Sequence, residues 1–363
     1  MSKVKTGITL FSLGTPYLKG ELDLEGVIRT AAELGAEGYE IVATQMIPSY
    51  PFVSDEFVEF INKCKEKYGI GPICYSANMD RGMLKDRDLT EDEMVARAIT
   101  DIMSANKLGC TVMREQYLLS PEGLKRIAPY AEAYNVHVGI EIHNPESPIT
   151  PAIMDYVKVI EETGSKYIGF VPDFGCFAIK PNKPYWDRAL AAGATEEQLN
   201  KCAQLRYDEV PLEEAMKIMA EDIEKCPALG GTLNSMYGFV QFRKSCTKEL
   251  EGLKRILPYC FEMHGKCHYV DENLHEVSIP YEEIIPVVAA SDYDGFIVTD
   301  HDRYAGVGLG VDLMRAMTDL TAEKNRQVME SIHYASVIQQ SFLRHSRRDM
   351  AATLDDYFMH WAP

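Results

Sequence analysis

The sequence predicts an α/β protein: a closed, parallel (β/α)8 TIM barrel with a helical insertion after its sixth strand and a helical C-terminal tail. Three observations predict it. Short apolar runs alternate with longer amphipathic ones along the 363 residues. Eight such runs are present, the number that closes a parallel sheet on itself. Several of them end on a carboxylate or an imidazole, at the rim where such barrels gather their chemistry. A barrel takes roughly 250 residues, which leaves room for the insertion and the tail.

The strand-like runs are 6–13, 38–43, 71–78, 110–115, 136–143, 167–173, 260–270 and 295–300. Most are short and flanked by Gly or turn residues, as strands are. Amphipathic segments occupy most gaps, at 24–35, 53–68, 90–108, 120–134, 152–163, 248–258 and 281–290. Their ends carry local signals. Ser120-Pro121-Glu122 sets a cap residue ahead of Pro at the first helical position. Thr90-Glu91-Asp92-Glu93 reads as a capping box, with carboxylates at the positive end of the helix dipole. Leu34-Gly35, Tyr68-Gly69 and Leu108-Gly109 close helices before the next strand. Right-handed crossovers follow from the βαβ pattern.

Two stretches exceed the minimal barrel. Residues 174–247 are too long for an ordinary βα loop and hold helical patterns near 185–205 and 211–225. The insertion leaves from the catalytic rim, so a lid, a substrate wall, a subunit contact and a decorated loop are its four readings. The barrel, insertion included, spans 1–310, and 311–363 form a helical C-terminal extension. That extension ends in Tyr357-Phe358-Met359-His360-Trp361, aromatics suited to docking on the barrel or on a neighbouring subunit.

Composition narrows the function. The chain is 46% hydrophobic, enough for a large core. Its formal net charge is -18 with no run of Lys and Arg, which argues against nucleic acid as a partner. The nine Cys are scattered, odd in number and free of C-x-x-C pairs. That pattern fits reduced thiols in a cytoplasmic protein. The opening MSKVKTGITLFSLG has too short an apolar run for a signal peptide. No apolar stretch approaches the ~20 residues of a membrane span.

Chemistry is carried by strand ends. Residues two apart on a strand share a face, so His137, Gly139, Glu141 and His143 point one way. His264, Lys266 and His268 do the same in MHGKCH. Charged side chains inside a barrel are costly unless paired or metal-bound. Glu141, Asp173 and His264 therefore read as ligands of a divalent metal, or else as a buried hydrogen-bond network. The fourth ligand comes from TDHDRY: Asp300 closes the strand, His301 faces the other way, and Asp302 can be a solvated loop residue.

In this order the pieces resemble the xylose isomerase-like barrels, the sugar phosphate isomerase/epimerase superfamily. The pieces are ITLFSLG, ELGAEGYEI, EIHN, PDFG, the H-x-K of MHGKCH, and YDGFIVTD, over about the first three hundred residues. The resemblance implies one divalent metal, commonly Mn2+, held by Glu141, Asp173, His264 and Asp300. The group's fourth ligand is a Glu, and this chain has the shorter Asp. The group's sugar epimerases carry a second catalytic Glu, whose nearest counterparts here are Glu40 and Glu115. Within the group, EIHNP, PDFG with FAIKPNKPYW after it, and HGKC look similar to the α subunits of bacterial C-glycoside deglycosidases. That resemblance implies a lyase cleaving the carbon–carbon bond of 3-oxo-C-glucosides, working with a small separately encoded β subunit.

The shared hard step of these reactions is loss of a proton from carbon beside a carbonyl. His143, two residues beyond Glu141 on the same face, is the candidate base, or else a capping group. Lys266 either holds a substrate oxygen or pairs with a ligand carboxylate. His268, Tyr39, Arg114 and Glu115 sit at strand ends and are candidate substrate contacts. A sugar isomerase or epimerase is the alternative activity. It wants two acid/base groups, typically carboxylates, whereas the clearest one beyond the ligands is a His. An endonuclease would need a basic groove, and an inactive scaffold would bind no metal.

Overall fold

The computed structural model describes residues 4–78, 81–116, 119–271, 273–301 and 310–314. Eight strands form one sheet: β1 (Lys5–Thr9), β2 (Gly38–Val42), β3 (Pro72–Ser76), β4 (Val112–Glu115), β5 (His137–Ile142), β6 (Ile168–Pro172), β7 (Glu262–Cys267) and β8 (Phe296–His301). Every ladder is parallel, and the order runs β6-β5-β4-β3-β2-β1-β8-β7. Two parallel bridges, Phe170 with Cys260 and Asp173 with His264, draw β6 to β7 and bring the barrel close to full closure. Gly169 permits that seam. A Cβ there would lie 2.0 Å from the Tyr259 carbonyl oxygen, so no larger residue fits without moving backbone.

Helices cover the outside, at Leu24–Glu33, Asp55–Tyr68, Glu91–Leu108, Pro121–Ala133, Pro151–Thr163, Thr247–Ile256 and Tyr281–Ala289. The expected caps are present. Thr90 and Glu93 form a reciprocal capping box, and Ser120 Oγ accepts from the Gly123 N–H ahead of Pro121. Gly69 and Gly109 take left-handed φ of 76° and 80° at helix ends, a conformation other residues enter at a cost. The apolar core lies between sheet and helices, where Ile8, Ile41, Met113, Ile140 and Phe170 are fully buried.

Three features differ from the sequence expectation. Residues 10–13 continue the apolar run of β1, but they form a 3-10 turn, Leu10–Leu13, leading into the short helix Gly14–Leu18. Thr9 ends the strand, its Oγ1 accepting from the Phe11 N–H at 3.3 Å. The insertion is mostly helical, and it includes an additional helix, Ala228–Tyr237, that carries Gly230-Gly231. Two glycines cost a helix about 2 kcal/mol. Burial of Leu229, Leu233 and Met236 outweighs that at roughly 1.5–3 kcal/mol each. The 311–363 extension lies outside the described residues except for a helical turn at 310–314. All nine cysteines are buried and free. Among the described residues, no helix is long and apolar enough to cross a membrane.

Candidate metal centre

Glu141 lies near the end of β5, Asp173 directly follows β6, and His264 sits midway along β7. One carboxylate oxygen from each acid and one ring nitrogen of the histidine lie within 4.8 Å of one another, and all three residues are buried. The sheet places them. Parallel register brings Glu141 beside Val171, and the closing bridge pairs Asp173 with His264.

Asp173 is held by the turn it starts. Its Oδ1 accepts from the Gly175 N–H at 2.5 Å. A Cβ on residue 175 would come within 2.8 Å of that oxygen, which explains the glycine of PDFG. Oδ2 is buried with no hydrogen-bond partner. Burial pushes the Asp173 carboxyl above its ordinary pKa, against the pull of Lys266 and His143. Glu141 behaves oppositely. Burial would raise it, but Arg114, with Nη1 at 3.3 Å, and His264 hold it well below the usual carboxylate range.

His264 stands between two carboxylates. Its Nε2 is 2.9 Å from Glu40 Oε2, and its Nδ1 is 3.1 Å from Glu141 Oε1. The second approach is close but not aligned as a hydrogen bond, so Nδ1 has no hydrogen-bond partner. Burial favours the neutral ring, but the carboxylates outweigh it and hold the ring's pKa well above its ordinary value. Asp300 completes the rim. Its Oδ2 accepts from Lys266 Nζ at 3.0 Å and lies 4.0 Å from His264 Nδ1, while Oδ1 is buried without a partner.

These residues fit a divalent cation. The orphaned atoms Asp173 Oδ2, Asp300 Oδ1 and His264 Nδ1 belong to neighbouring side chains of one buried cluster. Buried polar atoms without partners are rare in native folds and call for a ligand. The donor set is three carboxylates and one imidazole, hard to borderline, as Mn2+ and Mg2+ prefer.

The other sequence candidates divide. His143 follows β5 and is half-buried. Its charge acts on both Glu141 and Asp173, which places it beside the cluster. Its Nδ1 lies 2.8 Å from the Asn144 carbonyl oxygen, and its ring meets Phe239 at 4.6 Å. Since a carbonyl only accepts, Nδ1 donates in this bond, which leaves Nε2 as the nitrogen that can accept a proton. Lys266 takes the ion-pair alternative with Asp300. His268 lies beyond the strand against Glu276, which accepts from the His268 backbone N–H at 3.2 Å. His301 faces the outer helical layer, with Cδ2 3.3 Å from the Cβ position of Gly310. Asp302 is outside the described residues.

The structure does not bring Tyr39 or Glu115 to this cluster. Tyr39 is fully buried towards Cys64 and Cys110, and Glu115 is buried towards Asp101 of the helical layer. Their neighbours take the lumen instead. Glu40 meets His264, and Arg114 meets Glu141 and donates from Nη2 to Ser76 Oγ at 2.6 Å. Side-chain alternation makes these two outcomes one: where Glu40 points in, Tyr39 points out, and likewise for Arg114 and Glu115. The insertion also reaches the site. Gln241 Nε2 donates to Asn144 Oδ1 at 3.2 Å and to the Pro145 carbonyl at 2.6 Å.

The fold is that of a (β/α)8 TIM barrel, and residues 28–195 match the family model of the xylose isomerase-like TIM barrels. Two curated relatives extend the likeness over most of the chain. The C-glycoside deglycosidase alpha subunit of Arthrobacter globiformis is 28% identical over 326 residues, 88% of this chain and 92% of that protein. The 3'-dehydrocarminate deglycosidase alpha subunit of a Microbacterium species is 29% identical over 311 residues, 83% of this chain and 88% of that one. Among solved structures, a D-tagatose 3-epimerase-like protein superposes with a TM-score of 0.51 at 15% identity, covering 88% of this chain and 99% of its own. That last likeness speaks to the fold alone.

Proposed function

We propose that this chain is the α subunit of a divalent-metal-dependent carbon–carbon lyase that releases the aglycone from 3-oxo-C-glucosides. The observation that carries the reading is His143, whose Nδ1 is engaged by the Asn144 carbonyl and whose ring stands beside Glu141 and Asp173. The named activity of the two deglycosidase relatives supports the substrate class. Their designation as alpha subunits supports a separately encoded partner. Scattered buried thiols are in keeping with a reducing cytoplasm.

Glu141, Asp173, His264 and Asp300 would hold the divalent ion, Mn2+ by the resemblance, and when bound it would supply Lewis acidity toward negative charge on the sugar oxygens. The chain's own residues do the rest. His143 Nε2 takes the proton from the carbon beside the ketone. The electron pair forms a carbon–carbon double bond in the sugar as the bond to the aglycone breaks. The aglycone carbon leaves with that bond's pair and takes up a proton. Asn144 keeps the His143 proton on Nδ1, so Nε2 is ready as acceptor. Lys266 and Asp300 hold each other at the rim, where the ammonium can also meet a substrate hydroxyl. Phe239 excludes water from one side of the base. His268 is the further substrate contact on the β7 side.

An epimerase would need a second base across the substrate carbon. Glu40, the nearest spare carboxylate, is committed to His264 and Thr9, which favours the lyase. The test is product analysis with Mn2+-loaded protein, alone and with the small protein encoded beside it. Free aglycone from a 3-oxo-C-glucoside, reduced about 10²–10⁴-fold by His143→Ala, supports the reading. Conversion among free ketoses without aglycone release overturns it.

A further inference from the structure

We infer that Glu40 is a positioning residue for the metal centre: it fixes the proton of His264 on Nε2 and so turns Nδ1 toward the ion. The inference rests on the metal centre proposed above and concerns how that centre is built. An imidazole binds a metal through a lone pair on one ring nitrogen, and the partner of the other nitrogen decides which. Nε2 of His264 lies 2.9 Å from Glu40 Oε2. An ionised carboxylate has only lone pairs, so Nε2 must donate. Nδ1 faces the other way, 3.1 Å from Glu141 Oε1 and 4.0 Å from Asp300 Oδ2, with no aligned hydrogen-bond partner. The free nitrogen therefore stands among the carboxylates that bind the ion.

Glu40 is itself locked. Its other oxygen, Oε1, accepts from Thr9 Oγ1 at 2.8 Å, across the β1–β2 ladder in which Thr9 and Glu40 are register partners. Thr9 in turn is pinned by the 3-10 turn it caps. The line Phe11, Thr9, Glu40, His264 thus runs from the backbone of β1 to the ligand ring. Glu40 is 1% exposed, and its two oxygens are engaged by His264 and Thr9. This assigns Glu40 a role other than that of the epimerases' second base.

The test has two readouts besides turnover. One is Mn2+ affinity, from the signal of free ion in electron paramagnetic resonance, for wild type and Glu40→Gln. The other is the long-range 1H–15N spectrum of the His264 ring in Zn2+-loaded protein, with metal-free thermal unfolding as the fold control. In the variant the amide oxygen takes the Thr9 hydroxyl, and the amide nitrogen faces a ring nitrogen that also needs an acceptor. The expected results are a proton on Nε2 with Nδ1 ligated in wild type, and affinity about 10–100-fold weaker in a variant that unfolds at the wild-type temperature. A proton on Nδ1 with Nε2 ligated overturns the inference, and so does Mn2+ affinity within about threefold of wild type in Glu40→Gln. A variant that does not fold leaves the wild-type ring spectrum to decide. Wild type that binds no Mn2+ removes the metal centre of the proposed function instead. The metal-free ring then decides Glu40: an Nε2–H signal lost in Glu40→Gln supports the role, and one retained overturns it.

Discussion

Two regions of this barrel bury carboxylates, and Glu141 and Glu40 in one meet the opposite fate to Glu115 and Asp101 in the other. In the lumen, Glu141 and Glu40 are kept ionised because Arg114 and His264 stand against them. Behind β3 and β4, Glu115 and Asp101 share the helical layer with Tyr75, Arg97 and Tyr50. There burial dominates, lifting Asp101 to about 6 and Glu115 to about 8. Tyr75 Oη donates to Asp101 at 2.9 Å, and Arg97 both reaches Asp101 at 3.3 Å and stacks over the Tyr50 ring. A buried acid alone therefore does not mark a site. What distinguishes the lumen is a convergence of ligand atoms: Glu141, Asp173 and His264 bring theirs within 4.8 Å of one another.

The sharpest way to break the comparison is Asp173→Asn. The asparagine keeps Oδ1 for the Gly175 N–H and removes the charge beside Oδ2. Wild type at Mn2+ a hundredfold above its Kd gains about 2.7 kcal/mol of stability. The variant is expected to lose nearly all of that gain, while its metal-free unfolding temperature stays at or above wild type. Full stabilisation of the variant by Mn2+ would place the ion elsewhere.

Glu115→Gln probes the other region and is expected to act through pH. The folded pKa of Glu115 is raised to about 8 from 4.5, so the folded state binds more protons than the unfolded one between these values. Its contribution is fully present below pH ~4.5 and is lost as pH rises through ~8. Urea unfolding of wild type and variant should agree to within their acid-range offset near pH 4.5. By pH 8 the variant should gain on the order of 1–3 kcal/mol on wild type. A difference that does not change with pH would show that Glu115 ionises freely in the fold.

The smallest expected effect is Phe239→Leu. The ring is 57% exposed yet meets His143 at 4.6 Å, so truncating it frees the base without disturbing the core. A several-fold fall in kcat/KM for aglycone release is expected, with unchanged unfolding temperature. A variant with unaltered kcat/KM would reduce Phe239 to a bystander.

Much of this was legible in the sequence. The eight runs gave the strands in their right places, and the acids of EIHN and PDFG end neighbouring strands that pair in register. Parity was harder to read. GYEIV is buried at every position and carries a single charged residue, whereas HVGIEIH and MHGKCH repeat polar residues two apart. A strand buried on both faces carries no polar alternation to show which side is the lumen. The sequence offers both members of each pair, Tyr39 with Glu40 and Arg114 with Glu115, and the structure turns Glu40 and Arg114 to the lumen. The 3-10 turn at Leu10–Leu13 was hidden for a related reason, because a short apolar run has no period that tells strand from turn.

The tie between Gln241 and the Asn144-Pro145 corner has a consequence for how this molecule can be altered. Barrel enzymes are usually treated as a frame with interchangeable loops. Here the segment 174–247 grips the residue whose carbonyl sets the tautomer of the candidate base. A graft that replaced this segment to accept a bulkier or more polar aglycone would also release Asn144. The insertion and the His143 corner are thus coupled in this chain, and a transplanted segment must bring its own equivalent of Gln241 to leave that corner intact.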